Sequence, residues 1–379
     1  MLRPKKLPPA SLEVAMTSPD YVFHLPHDET VVGQVMSAGH YVVSRQNAAE
    51  LITLTQDGNV RHMSDSLGVI RPCQFNPAED WNEKAILFAR AGGFGDLMAM
   101  TPTIHEIKTR WPQCRIQVAT HERHAPILAN NPDIESILPW PLSAAHWNQA
   151  DAHVWLDQII ERQENSQTVH FVDLVSQECG DIDVADKRMR YFPTIDETRL
   201  AQVKYRRGTK YTNRLGVQVH SNARNRTYPI AKLHAALMVL HSKGWEIFLF
   251  GDDAALRGAR APGVTIIPTS STSIRASAAI LGTCDVVLAP DSSFCHLAGA
   301  IGLPTVALYG PFPASLRTAY NPSVYPIQGK ARCAPCFHHV SRGEHFCKAC
   351  PTAARGFCAA MDEIDPKRIV KAIEEAARS

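Results

Sequence analysis

The sequence predicts an α/β protein built from two doubly wound, parallel-sheet domains in tandem. Three observations carry that prediction. From Ala85 onward, short apolar runs alternate with amphipathic stretches, the signature of repeated strand–helix units. The alternation breaks at the polar stretch Arg206–Lys210 and resumes at Arg214. Each half also opens on a strand that runs into a turn-rich loop ahead of a helix, where open α/β sheets bind ligands. The 379 residues suffice for two such domains with additions at both ends.

The elements read as follows. Before residue 80 the pattern is β-rich. Val31–Val35, His40–Ser44 and Glu50–Thr55 read as short strands, Asp57-Gly58 as a turn and Asn59–Met63 as a return strand, after a frayed Met1–Pro9. The first α/β half has strands at Ala85–Ala89, Arg115–Thr120, Ser136–Pro139 and His170–Val175. Its helices are expected at Leu97–Trp111, His124–Asn130, Ala150–Gln163 and Thr198–Lys204. The second half has strands at Arg214–His220, Glu246–Gly251, Thr265–Ile267, Val286–Ala289 and Thr305–Leu308. Helices Ala231–Lys243, Ser273–Gly282 and Phe294–Ile301 lie between them, and Asp365–Ala377 is a terminal amphipathic helix.

Composition narrows the class. The chain is 45% hydrophobic and 20% charged, with a formal net charge of +2. That balance fits a globular protein and disfavours a broad nucleic-acid footprint. The first residues lack the apolar core of a signal peptide, and no apolar run is long enough to span a bilayer. A cytoplasmic location is expected, with attachment to a membrane surface left open.

Four loops concentrate the chemistry. The first is Ala91-Gly92-Gly93-Phe94-Gly95-Asp96, at the end of the first apolar strand. Gly93 and Gly95 let a ligand approach the backbone near a helix N-terminus, and Asp96 is either that helix's cap or a reactive carboxylate. Gly93-Phe94-Gly95 also supplies two glycines of a dinucleotide fingerprint, but Met98 occupies the third position. The second loop, in Val217–Pro229, carries Ser221, Arg224 and Arg226. Guanidinium forks suit a phosphate or diphosphate, and a solvated basic loop is the plain alternative. The third, Asp291-Ser292-Ser293, precedes a helix containing His296. Its hydroxyls and amides suit phosphate, Asp291 suits orienting the turn or meeting a sugar hydroxyl, and His296 is either a phosphate contact or a packed histidine. The fourth is Asp252, followed by Asp253, either a helix cap or a ribose ligand.

Five of the ten cysteines crowd into Cys333–Cys358. Cys333-Ala-Pro-Cys336 and Cys347-Lys-Ala-Cys350 have the doubled spacing of a closed tetrathiolate site. One structural zinc or iron ion per chain is expected there. Cys358 is a fifth candidate, and His338, His339 and His345 are substitutes.

The segments ARAGGFGDLMAMTPTI, VQVHSNARNRTYP and APDSSFCHLAGAIGLPTVALYGP span Ala85–Pro311. Together they resemble the ADP-heptose:lipopolysaccharide heptosyltransferases, glycosyltransferase family 9, with a GT-B fold. The resemblance implies two Rossmann-like domains facing a cleft. It assigns an acceptor domain to 81–205 and a sugar-nucleotide domain to 212–328; the extension at 1–80, which is unlike the short enzymes of the family, the Cys-rich metal knuckle at 329–360 and the helical end at 361–379 are read from the residues themselves. It further implies inverting transfer from a nucleoside diphosphate sugar, an ADP-sugar first, with Asp96 as general base. Arg226 and Arg224, with the Ser292–Ser293 amides, would stabilise the leaving diphosphate, and Asp252 or Asp253 would meet the ribose. Arg226 stands where the family commonly has Lys, and Ser293 where it has Gly. Similar cysteine pairs occur in some relatives, including iron-binding autotransporter heptosyltransferases.

The implied acceptor is a saccharide, a lipid-linked saccharide or a protein, with modified DNA as a weaker alternative. A different class also fits: a non-catalytic sugar-nucleotide-binding module that assembles into a homo-oligomer.

Overall fold

The computed structural model describes residues 5–7, 21–25, 29–31, 34–36, 39–43, 75–140, 146, 149–156, 159–162, 164–252, 255–256, 263–338, 350–352 and 356–379. Before residue 75, and at 161, 162, 164 and 165, it gives backbone alone. The chain divides into two compact units, one of residues 1–166 and 172–186, the other of 167–171 and 187–379.

The leading strands are β1 (Lys5–Leu7), β2 (Tyr21–Leu25), β3 (Glu29–Val31), β4 (Gln34–Met36) and β5 (Gly39–Val43). They form an antiparallel sheet in the order β1-β5-β2 and a separate β3–β4 pair. Two details differ from the sequence reading. Val31–Val35 is split between β3 and β4, which pair with each other. Lys5–Leu7, inside the stretch expected to fray, pairs with His40–Val42. The expected strands Glu50–Thr55 and Asn59–Met63 lie outside the described residues.

The first unit's α/β sheet contains β6 (Ala85–Ala89), β7 (Arg115–Thr120), β8 (Ser136–Pro139) and β9 (Ala152–Trp155). The order is β8-β7-β6-β9, parallel throughout. β6 is buried along its whole length, as a central parallel strand must be. Helix α1 (Phe94–Arg110) returns the chain to β7 and buries Leu97, Met100, Ile104 and Ile107, a helical 3–4 spacing. Pro102 lies inside α1 and has no N–H to offer the Met98 carbonyl; the Thr101 hydroxyl donates to that oxygen instead, at 2.7 Å.

Two assignments are corrected here. Ala150–Gln163 is not one helix but strand β9 followed by α2 (Ile159–Arg162). The apolar spacing of Leu156, Ile159 and Ile160 mimics a helix, whereas the parallel pairing of Ala152–Trp155 with Ile86–Ala89 decides the strand. His170–Val175 is not a strand but the start of α3 (Phe171–Glu178). Its buried Phe171, Leu174 and Val175 recur at helical spacing.

Helix α4 (Ile195–Lys204) opens on a capping box: Glu197 N donates to Thr194 Oγ1 at 3.1 Å, and Thr194 N donates to Glu197 Oε2 at 2.8 Å. The sequence reading groups this stretch with the first domain, but it belongs to the second unit. Arg275 donates to both Glu197 oxygens, at 2.5 and 2.6 Å, and ties α4 to α6 (Ile274–Leu281).

The second sheet contains β10 (Asn213–Gln218), β11 (Trp245–Gly251), β12 (Val264–Pro268), β13 (Val286–Pro290), β14 (Thr305–Tyr309) and β15 (Val324–Gln328). Its order is β12-β11-β10-β13-β14-β15, all parallel. In strand sequence that is 3-2-1-4-5-6, the dinucleotide-binding order, with a switch point between β10 and β13. The first sheet has the matching partial order, 3-2-1-4, and its switch point lies between β6 and β9.

Helices α5 (Ile230–Ser242), α7 (Ser293–Ala300), α8 (Ser315–Thr318), α9 (Ala359–Asp362) and α10 (Pro366–Ala376) complete this unit. The apolar faces of α5 and α10 share one core with Leu215, Val217, Leu249, Leu288 and Val306. Among the described residues no helix is long and apolar enough to cross a membrane.

Candidate active site

The glycine loop and the arginine and serine loops that the sequence singles out lie at switch points. In the first unit, β6 ends at Ala89 and the next residue, Arg90, is buried. Its Nη1 donates to the Leu156 carbonyl just past β9, at 2.8 Å. Its Nη2 lies 3.1 Å from Asp96 Oδ1. Asp96 is not the helix cap that one sequence reading makes it. Gly93 caps α1, and Asp96, three residues in, reaches back so that its Oδ2 accepts from Gly93 N at 2.9 Å. The carboxylate is thus held at the positive end of α1 between a backbone N–H and a buried guanidinium. Its side chain remains 28% exposed, so a ligand can reach it.

Gly92 is a site residue that the sequence reading passes over. A Cβ there would sit 2.6 Å from Arg90 Nε and 2.8 Å from Asp96 Oδ2, whereas at Gly93 the nearest atom would be 3.6 Å away. The signal is present in the glycine run, but spacing alone does not show which member is compressed.

Aromatic and imidazole rings follow the ends of neighbouring strands. Phe94 and His124 meet edge to face at 5.1 Å, His121 stands 6.4 Å from Trp140, and Trp140 stands 5.5 Å from Trp155. His124 Nδ1 is 3.2 Å from the Ala91 carbonyl. Desolvation is the main cause that lowers the His124 pKa below its ordinary value.

In the second unit, the loop after β10 meets the loop after β13. Asp291 is 3% exposed, and its Oδ2 lies 3.6 Å from Arg226 Nη1. Ser292 caps α7, and its hydroxyl donates to Gln218 Oε1 at the end of β10. Ser221 Oγ donates to the Asp291 carbonyl at 3.4 Å. Gln218 is a second residue the sequence reading does not single out; an amide at a strand end carries no motif. Arg224 is exposed on the same turn, and Ser293 is the first residue of α7.

Asp252 and His296 stand differently. Asp252 Oδ1 accepts from Ala255 N at 2.9 Å, and its Oδ2 lies 3.1 Å from His220 Nε2, so the helix-cap alternative describes its contacts. Asp253 lies outside the described residues. His296 is 7% exposed and packs against Phe171 at 5.1 Å.

The Arg224–Arg226 turn is anchored to the Cys-rich segment. Asn225, buried between Arg224 and Arg226, donates through Nδ2 to the His338 carbonyl at 2.5 Å. The amides of Cys336 and Phe337 donate to the Pro311 carbonyl, each at 3.0 Å. Burial raises the thiol pKa values of Cys333 and Cys358. Cys336 and Cys350 add smaller upward contributions at both, so they lie within electrostatic reach of both. None of the four is in a disulfide. Among the described residues, no three His, Cys, Asp or Glu side chains gather closely enough to hold a metal. Cys347, His339 and His345 lie outside the described residues, so the expected four-thiolate set is only partly in view.

Two parallel-sheet domains of this kind make up the GT-B class of glycosyltransferases. The chain belongs to glycosyltransferase family 9, whose heptosyltransferase model matches residues 147–346. The fold is similar to that of ADP-heptose lipopolysaccharide heptosyltransferase II from E. coli: TM-score 0.60, 14% identity, covering 78% of this chain and 98% of that one. A family 9 glycosyltransferase from Veillonella parvula DSM 2008 gives a TM-score of 0.64 at 15% identity, covering 79% and 99%. The iron-containing dodecameric glycosyltransferase TibC from enterotoxigenic E. coli H10407 gives 0.60 at 15%, covering 79% and 80%. TibC is also known in complex with ADP-D-β-D-heptose. No curated protein matches the chain in sequence.

Proposed function

We propose that this family 9 glycosyltransferase moves a heptose-like sugar from an ADP-sugar to an acceptor hydroxyl with inversion, and that Asp96 is the general base. The observation that carries the reading is the Asp96 carboxylate, partly exposed at a switch point and fixed by Gly93 N and Arg90. A base must be accessible and oriented, and this one is both.

In the proposed step, Asp96 takes the proton of the acceptor hydroxyl. The acceptor oxygen forms a bond to the anomeric carbon from the face opposite the diphosphate. The bond from that carbon to the diphosphate oxygen breaks, and ADP leaves with the electron pair. Arg226, Arg224 and the Ser293 amide at the start of α7 meet the growing negative charge. Asp291 aims Arg226, and the Gln218–Ser292 bond fixes the cap. His121, Trp140 and Trp155 offer apolar ring surface to a saccharide acceptor. The donor reading draws on TibC and its ADP-heptose complex. The reaction belongs in the cytoplasm, where nucleoside diphosphate sugars are supplied.

We also assign one structural zinc or iron ion per chain to Cys333, Cys336, Cys347 and Cys350. The support is the doubled C-x2-C spacing and the iron content of TibC. A homo-oligomer fits the same comparison.

The deciding experiment incubates the full chain with ADP-heptose and a truncated saccharide acceptor, and follows ADP release. Asp96→Asn should lose turnover and keep donor binding. Binding without turnover in the native protein, across saccharide and peptide acceptors, would favour the assembly module instead.

A further inference from the structure

The aliphatic exposure of the described chain is concentrated on one short helix. Ile195 is 85% exposed, Val203 73% and Leu200 70%, and all three lie on α4; no other described large apolar residue exceeds 44%. The helix is built inside out. Ala201 is buried, and Glu197 is held by Arg275 of α6, so these two mark its inner side. Ile195, Arg199 and Val203, four apart, form one row on the opposite side, and Leu200 flanks Val203. A single exposed leucine is ordinary on a protein surface, but three exposed aliphatics on one ten-residue helix make a patch.

Cations accompany this patch. Arg199, Lys204, Arg206 and Lys210 are exposed and make no ion pair with a described residue. Lys204 Nζ lies 5.3 Å from the centre of the Tyr205 ring, and Lys210 Nζ 4.8 Å from that of Tyr211. Arg207 is paired, its Nη2 2.5 Å from Asp285. Of the two acids between Ile195 and Tyr211, Glu197 is taken by Arg275, which leaves Asp196 against four exposed cations. This arrangement selects among partners. A second copy packed in register on the row, parallel or antiparallel, would bring Arg199 against its own counterpart, because Arg199 stands midway between Ile195 and Val203; like charges so placed repel. An anionic bilayer answers both features. Its headgroups attract the cations, and aliphatic tips enter the acyl boundary without needing a matching pocket.

We propose that the outer face of α4, with the basic segment that follows it, seats this protein on an anionic lipid bilayer. Ile195, Leu200 and Val203 reach the acyl boundary, and Arg199, Lys204, Arg206 and Lys210 lie at the level of the lipid phosphates. The contact is peripheral, since a helix of ten residues lies on a bilayer and is too short to span it. It falls wholly within the second unit and uses none of the residues assigned to sugar transfer.

The test is co-sedimentation of the full chain with vesicles of phosphatidylcholine alone and of equal parts phosphatidylcholine and phosphatidylglycerol, with ADP binding measured in parallel. The protein should bind the anionic vesicles, leave the neutral ones, and be released as salt is raised. Arg206→Gln and Lys210→Gln should each lower the partition coefficient about fivefold, the usual worth of one basic residue at an anionic surface. Leu200→Ser combined with Val203→Ser should lower it about tenfold, through lost apolar burial. All four side chains are exposed, so the variants should keep the native melting temperature and ADP affinity. Failure to bind anionic vesicles overturns the proposal, as does equal binding to both kinds. So does vesicle binding that the serine variant leaves intact, which would make the segment a plain polyanion site. Self-association without vesicle binding, abolished in the serine variant, overturns it too and gives the face to a second copy.

Discussion

Arg90 Nη2 lies 3.1 Å from Asp96 Oδ1, and the same guanidinium holds the Leu156 carbonyl at 2.8 Å. One buried side chain thus joins the end of β6, the end of β9 and the first turn of α1. The proposed base is fixed by the crossing point of the sheet rather than by its own helix alone.

Asp96→Asn keeps the size and the contact with Gly93 N but removes the proton acceptor. Turnover should fall by about 10²–10⁴-fold, the usual worth of a general base. Donor affinity, measured by calorimetry with ADP, should stay within about twofold, because the carboxylate is assigned to the acceptor and not to the nucleotide.

Gly92→Ala and Gly93→Ala form a matched pair. The first puts a methyl 2.6 Å from Arg90 Nε; the second puts it 3.6 Å from Asp96 Oδ2. Overpacking of the first kind costs about 1–3 kcal/mol. Gly92→Ala should lower both the melting temperature and kcat, and Gly93→Ala should change either far less.

Arg226→Ala should raise the Kd for ADP by about 10–100-fold, the loss expected for hydrogen bonds to a charged group. Asp291→Asn should raise it less, since Asp291 acts by aiming Arg226. A calorimetric comparison of the two variants checks the order.

Burial lowers the His124 pKa below its ordinary value of 6.5. Between that value and the lowered one, the unfolded chain binds more protons than the folded chain. Stability should therefore drop as pH falls below about 6.5, and level off once the folded-state pKa is passed. Melting temperatures from pH 8 to 5 should fall less steeply in His124→Gln than in the native protein.

Elemental analysis of purified protein should give one zinc or iron per chain. Cys333→Ser or Cys336→Ser should lose it. Cys358→Ser should keep it, because that thiol is buried in the core beside Ala359 and Met361.

The sheets are legible where strands are continuous apolar runs. Trp245–Gly251 and Val286–Pro290 announce themselves, and the second carries the Asp291–Ser293 loop to the switch point. What escapes the sequence depends on distant partners. Ala152–Trp155 is a strand because Ile86–Ala89 pairs with it, a fact absent from its own spacing. β15 escapes notice because Pro326 interrupts it, which its place at the sheet edge allows. Asp96 is legible as a residue but not in its position on the helix. The glycine run ends at Gly95 and so points to Asp96 as the cap, whereas α1 begins earlier, with Gly93 in that place. Arg90 and Gly92 matter through packing in three dimensions, which one-dimensional motifs do not record.

The Asn225–His338 bond couples the Arg224–Arg226 turn, the proposed nucleotide contact, to a stretch, 335–338, that has no member in the hydrophobic core of the second unit. Damage to that stretch, by oxidation or proteolytic nicking, would leave the sheet intact while releasing the turn. A batch so damaged would keep its second sheet and bind nucleotide poorly. Its damage is therefore read by an affinity measurement.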